Sequence, residues 1–205
     1  MIPTEAAIRR HPDRAVPDEA PAILSQGLVA HIGFTIGEQP YVIPLAYHYD
    51  PVTPDRLYVH GAQASRTLRH LATGAPVCVS VTLLDGIVYS RDAQNHSLNY
   101  RSVVAFGRAY PIADPAEMTA IYAGMTQRYI PDRTAGRDYA PPEPGQLRAA
   151  LMVAIAIEQW SGKARRGGPT GPHDDDPDAP GTAGVIGLHE VRDEVNDDDD
   201  LEKRQ

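Results

Sequence analysis

The 205-residue sequence contains one cysteine, Cys78, so it can hold neither an intrachain disulfide nor a cysteine-rich zinc site. Cys78 lies in the apolar run Ala75–Thr82, where a thiol serves as a small buried side chain rather than a nucleophile. There is no Gly-x-Gly-x-x-Gly turn, no P-loop and no Gly-x-Ser-x-Gly elbow, which argues against classical dinucleotide, nucleoside-triphosphate and serine-hydrolase chemistry. His31, His48, His60, His70 and His96 show no HxH or HxxxH spacing, so no structural metal is expected. Positive charge is also scarce. The formal charge is −8, and a nucleic-acid backbone needs a basic face. No apolar run approaches the ~20 residues of a membrane span. Met1–Arg10 has no apolar leader core, so a soluble cytoplasmic protein is expected.

What is present suits one domain with tails. Hydrophobic residues make up 42% of the chain, enough for one core. Residues 1–16, broken by Pro3 and Pro12, read as an N-terminal arm, 17–164 as the domain and 165–205 as a flexible acidic tail rich in Gly, Pro and Asp. Within the tail, Val185–Val191 is a small apolar patch that either docks back or stays free.

Between arm and tail the pattern is that of strands. Leu28–Ile36 and Tyr41–Tyr49 are β-rich runs joined at Gly37–Pro40, and Arg56–His60 is a third. Pro76–Leu84 alternates Val77, Val79, Val81 and Leu83 with smaller residues, a period of two. Asp85-Gly86 reads as a turn into Ile87–Ser90. Ser102–Tyr110 and Leu151–Trp160 complete the strands. Helices are expected after Asp18, with Gly27 as a left-handed cap, over Ala62–Thr73, and after Asp114-Pro115-Ala-Glu117. The last carries Met118, Ile121, Tyr122, Met125 and Tyr129 on one face, read as packing. Six or seven short strands with few helices predict a mainly β, α+β architecture, an antiparallel split β-barrel.

Three segments carry possible chemistry. In Tyr58–Arg66 a strand ends at His60, Gly61 permits a close turn, and a helix begins where Ser65 and Arg66 can hold a phosphate. Arg101 and Ser102 enter a strand and could reach the same anion. Trp160-Ser-Gly-Lys163 places the only tryptophan beside a cation, where a flat ring could stack.

In this order the three segments resemble the pyridoxamine 5′-phosphate oxidase-like superfamily of flavin-binding split barrels, nearest its nitroimidazole-resistance branch. The resemblance rests on Tyr41–Tyr47, Leu57–His60 with Ser65-Arg66, Tyr100–Gly107 and Gln159–Lys163, and spans about residues 17–163. It implies a homodimer with two FMN sites at the subunit interface. Ser65 and Arg66 then bind phosphate, with Arg101 or Ser102 assisting. His60 and Gly61 lie near the ring or ribityl chain, and His60 is the candidate catalytic proton donor. The backbone of Val42, Ile43 and Pro44 follows the isoalloxazine, and Trp160 and Lys163 come from the partner subunit. Oxidases proper carry cations on the second strand and a C-terminal Arg-x-His, and both are missing here. Oxidation of pyridoxamine phosphate is therefore not expected. The expected function is flavin-dependent oxidoreduction of a small nitroaromatic or quinone-like acceptor. The alternatives are a non-catalytic flavin-sensing dimer, or a haem- or F420-binding relative on the same barrel.

Overall fold

The computed structural model describes residues 6–191. The start of the expected arm (1–5) and the end of the expected tail (192–205) lie outside them. The chain forms two compact units, one reaching up to Leu83 and resuming over Arg101–Arg165, the other made of Leu84–Tyr100 and the chain from Arg166 onward.

The first unit is built on the strands β1 (Val29–Ile36), β2 (Gln39–Ala46), β3 (Arg56–Ala62), β4 (Pro76–Tyr89), β5 (Ser97–Ile112) and β6 (Ala150–Arg165). β4 and β5 run on into the second unit. The strand order is β2-β1-β4-β5-β6-β3, a curled antiparallel sheet of split-barrel type. β1 and β2 form a hairpin in which Ile36 faces Gln39. Gly37 takes the first turn position at φ 60°, a conformation that costs glycine nothing. β2 lies at one end of the sheet with Pro40 and Pro44 in it, as edge strands tolerate. Beyond β2, His48 and Tyr58 exchange two backbone hydrogen bonds of 2.8 and 2.9 Å. That bridge joins the chain after β2 to β3 at the other end of the sheet.

The alternation seen in the sequence fills the barrel. Ile32, Phe34, Leu57, Val59, Val77, Val79, Val81, Val103, Val153 and Ile155 point inward, and burying each such side chain is worth roughly 1.5–3 kcal/mol. One end is closed by Leu68 and Leu71 of α2 (Arg66–Leu71), and Ile23 and Leu24 of α1 (Ala20–Gln26) join the same cluster. A second cluster covers the outer faces of β3 and β6. There Tyr58, Met152 and Ala154 pack on Met118, Ile121 and Met125 of α3 (Pro115–Tyr129). The methionine and tyrosine stripe of α3 is thus packing, as its spacing implied. Asp114 caps this helix by accepting from the amides of Ala116 and Glu117. A short helix, α4 (Pro144–Ala149), was not foreseen.

Three local expectations are corrected. Gly27 ends α1 in an extended conformation (φ −64°, ψ 143°), not a left-handed one; glycine is required because a Cβ there would strike Val81. β3 continues through Gly61 to Ala62, so Gly61 is not a turn. A Cβ at Gly61 would lie 3.0 Å from Leu68 Cδ1, and the residue serves the close approach of α2. Asp85-Gly86 is likewise no turn, since β4 runs unbroken and Gly86 pairs with Gly187.

The second unit takes up much of the stretch read as tail. β7 (Gly184–Gly187) pairs antiparallel with Gly86–Tyr89, which places Val185 and Ile186 on a sheet. Asp174 accepts from Ser90 Oγ (2.8 Å) and from the Arg91 amide (2.7 Å). His173 Nδ1 lies 2.6 Å from Asp92 Oδ1. The Arg91 guanidinium donates to the carbonyls of Ala179 and Gly181. The low hydrophobicity of this stretch pointed to disorder, but hydrogen bonds rather than apolar burial hold it.

Candidate flavin-binding corner

α2 begins at Arg66, later than its sequence pattern suggested, and Ser65 is its N-cap. Ser65 Oγ accepts from the Leu68 amide at 3.3 Å, which leaves its hydroxyl hydrogen to donate elsewhere. The Arg66 guanidinium lies over the Tyr41 ring, 5.0 Å from its centroid. Tyr41 stacks on Phe34 at 5.4 Å with 14° between planes. Arg66 is exposed and makes no hydrogen bond or ion pair among the described residues, so its donors are unspent. Beside it runs β2, with Val42 and Pro44 facing outward and Ile43 turned toward the core. Val42 is 65% exposed. On the same face lie Pro44 and Ala46 of β2, Val29, the exposed His31 and Gly33 of β1, which pair with Ala46, Pro44 and Val42, and Cys78 of β4 opposite Gly33. Cys78 is half-buried there, and burial pushes its thiol pKa up, so it stays a protonated packing residue.

Ser102 and Lys163 meet in a second place, a hollow of about 340 Å³ that also includes Ser161, Arg9 and Arg10. Here the N-terminal arm returns onto β6, with the Val16 amide donating to the Gly162 carbonyl at 2.8 Å. Arg9 and Arg10 were missed as site residues; their only signal was two adjacent cations before the break at His11 and Pro12. Arg101 donates to Gln26 Oε1 at 2.7 Å. Trp160 packs on the barrel core.

His60 belongs to neither place. Strand alternation turns it away from Gly61 and Leu68, and its ring meets Tyr122 of α3 edge-on at 4.8 Å. Its Nδ1 is buried without a partner, as is that of His48. Burial lowers the pKa of both, with Arg128 contributing at His48. Among the described residues no group of three or more His, Cys, Asp or Glu could hold a metal, and no helix is long and apolar enough to cross a membrane.

A family model described as pyridoxamine 5′-phosphate oxidase matches residues 17–164. The chain belongs to the pyridoxamine 5′-phosphate oxidase family. Among solved structures, this family member resembles an FAD- and haem-binding protein of Mycobacterium smegmatis with 32% identity and a TM-score of 0.79, over 91% of this chain and 90% of that one. It also resembles the flavocytochrome Anf3 of Azotobacter vinelandii with 30% identity and a TM-score of 0.80, over 94% and 88%. A candidate 5-nitroimidazole antibiotic resistance protein from Bacteroides thetaiotaomicron shares the fold at 21% identity and a TM-score of 0.58, over 73% and 85%. Among curated proteins, none matches.

Proposed function

We propose that the chain binds a flavin at the Ser65–Arg66 corner and acts as a flavin-dependent oxidoreductase on a small organic acceptor of nitroaromatic or quinone-like type. The observation that carries this reading is the unspent donor pair of Ser65 and Arg66, held against Tyr41 of β2. A guanidinium and a hydroxyl so placed suit a phosphate, and β2, whose Tyr41 holds Arg66, offers an exposed strand for a flat ring to lie along. Stacking on Tyr41 fixes Arg66 in advance, which lowers the entropy lost on binding. Flavin, when bound, supplies the hydride or single-electron step. The chain's own part is to grip the phosphate, orient the ring and exclude water. Proton delivery by His60 is not part of this reading, because its ring lies against Tyr122. The sequence resemblance favours FMN, whereas the relative from Mycobacterium smegmatis at 32% identity, named for FAD, supports FAD as a second form to test.

A second copy of the chain is part of the proposal. It would cover the outer face of β2 and close the site, with the basic hollow of Lys163, Arg9 and Arg10 meeting an anion from that side.

One observation favours haem in addition to flavin. The first unit holds an apolar cleft of about 640 Å³ lined by Ile112, Met118, Leu147 and Leu151, and of the two relatives described above, one is named for haem and the other as a flavocytochrome.

The test is the absorption spectrum of the protein as isolated, where flavin bands stand near ~450 nm. Arg66→Ala is expected to weaken flavin binding by roughly 1.5–3 kcal/mol. A titration of that variant with unchanged affinity removes the assignment. Bleaching by NADH or NADPH followed by reoxidation with an added nitroaromatic supports turnover; a flavin that never bleaches reduces the protein to a binder.

A further inference from the structure

The apolar cleft of the first unit lies where β5 and β6 meet the helices α3 and α4. Its lining holds no histidine, cysteine or tyrosine, and Met118, at 5% exposure, is taken up by the packing of α3. A haem iron would therefore have to draw its ligand from outside the cleft, and the lining itself suits a metal-free occupant. Two polar side chains line it, Gln63 and Arg148. Neither makes a hydrogen bond or ion pair through its side chain among the described residues. Arg148 stands on α4, whose start is fixed by Gln146 Oε1 accepting from the Glu143 amide at 2.8 Å. The Gln63 amide donates to the carbonyl of Ala149, the residue after Arg148, at 2.9 Å. The two unspent donors thus stand on backbone that is joined.

An apolar cleft of this size with a few convergent polar groups has the form of a small-molecule site. The walls of Ile112, Met118, Leu147 and Leu151 are aliphatic, with no aromatic side chain in the lining for a flat ring to stack on. They select a flexible hydrocarbon body. The lining has one guanidinium and no carboxylate, so the head group is an anion, and the Gln63 carboxamide can donate to it as well. One guanidinium matches the single charge of a carboxylate. A phosphate monoester, at about −1.5 to −2, would keep part of its charge unpaired there.

We propose that this cleft binds an aliphatic carboxylic acid, its chain against Ile112, Leu147 and Leu151 and its carboxylate on Arg148 and Gln63. The proposal is independent of the Ser65–Arg66 corner.

The full-length protein is titrated by calorimetry with decanoate below its micellar concentration, and separately with octanoate, decanol and decylammonium. Decanoate is expected to saturate at one per chain. Octanoate, two methylenes shorter, is expected to bind about tenfold more weakly, and decylammonium more weakly than decanol. Arg148→Gln alters an exposed residue and is expected to weaken decanoate about tenfold or more, with decanol affinity and circular dichroism unchanged. Arg108→Gln, at an exposed cation of β5 that donates to the Gly74 carbonyl and does not line the cleft, should leave decanoate binding as it was. Ala113→Trp fills the cleft from an exposed lining position and should weaken decanoate and decanol together. The inference is overturned if decanoate does not saturate, if decylammonium binds as well as decanoate, or if Arg148→Gln costs no more than Arg108→Gln. It is also overturned if Ala113→Trp leaves both titrations unchanged, because the acid is then held on another surface. Flavin bands read on the same samples keep this outcome separate from the flavin assignment.

Discussion

Arg128 does more for the fold than any motif in the sequence would suggest. Its guanidinium donates to the carbonyls of Leu24, Ser25, Gly27 and Tyr47, and it covers the Tyr47 ring at 4.2 Å. One side chain of α3 thus serves the last carbonyls of α1 and the exit of β2. Tyr47 donates to the Leu24 carbonyl at 2.6 Å, and burial, only partly offset by Arg128, pushes its pKa up to about 12. None of this was legible in the sequence, because an arginine one residue before the last tyrosine of a stripe looks like any solvated helix cation. Ser65 and Arg66 stand at the start of α2, with Ser65 as its cap rather than inside the helix, as the longer pattern had suggested. Which face of β3 His60 takes was not legible, because only the pairing of β3 with β6 decides it. Its burial has a measurable consequence. His48 and His60 have pKa values lowered from 6.5, so at mildly acid pH the unfolded chain binds more protons than the folded one. Stability therefore rises with pH up to about 6.5 and then levels off. A urea midpoint that falls between pH 7 and pH 5.5, and falls less in the His48→Gln, His60→Gln double variant, is the expected result. An equal fall in both proteins would assign the acid sensitivity to other groups.

At the scale of elements, the strands of the first unit were readable because one face is buried and the period of two survives in Val77, Val79 and Val81. β6 was readable for a different reason. Both faces of its central stretch are covered, by the barrel core and by α3, so Leu151–Ile157 is almost continuously apolar, as strands buried on both sides tend to be. β4 was cut in two by a glycine that looks like a turn and instead pairs with a partner strand far away in sequence. No local signal marks such a partner. β7 and the Asp174 clamp were missed for the same reason, since their bonds join residues more than eighty positions apart. Deleting Gly168–Gln205 removes that strand and that clamp together. Hydrogen exchange at the amides of Gly86–Tyr89 should speed up and the melting temperature should drop. Unchanged protection at those amides would show that β4 keeps its order there without β7.

For the whole molecule the open question is the number of chains. The outer face of β1 and β2 carries exposed Val29 and Val42, and a paired chain would bury them. Val42→Lys is expected to yield monomers by light scattering and to lose bound flavin in the same step. A dimer that persists with its flavin would place the subunit contact on another surface. Whatever covers that face, Pro40 and Pro44 settle how nothing can attach. A proline cannot donate into the ladder with β1, so both ring nitrogens lie along the free margin of β2, where an incoming extended segment would look for amide hydrogens. Growth by endless strand addition, the route to fibrils, is thereby discouraged at this margin of the sheet.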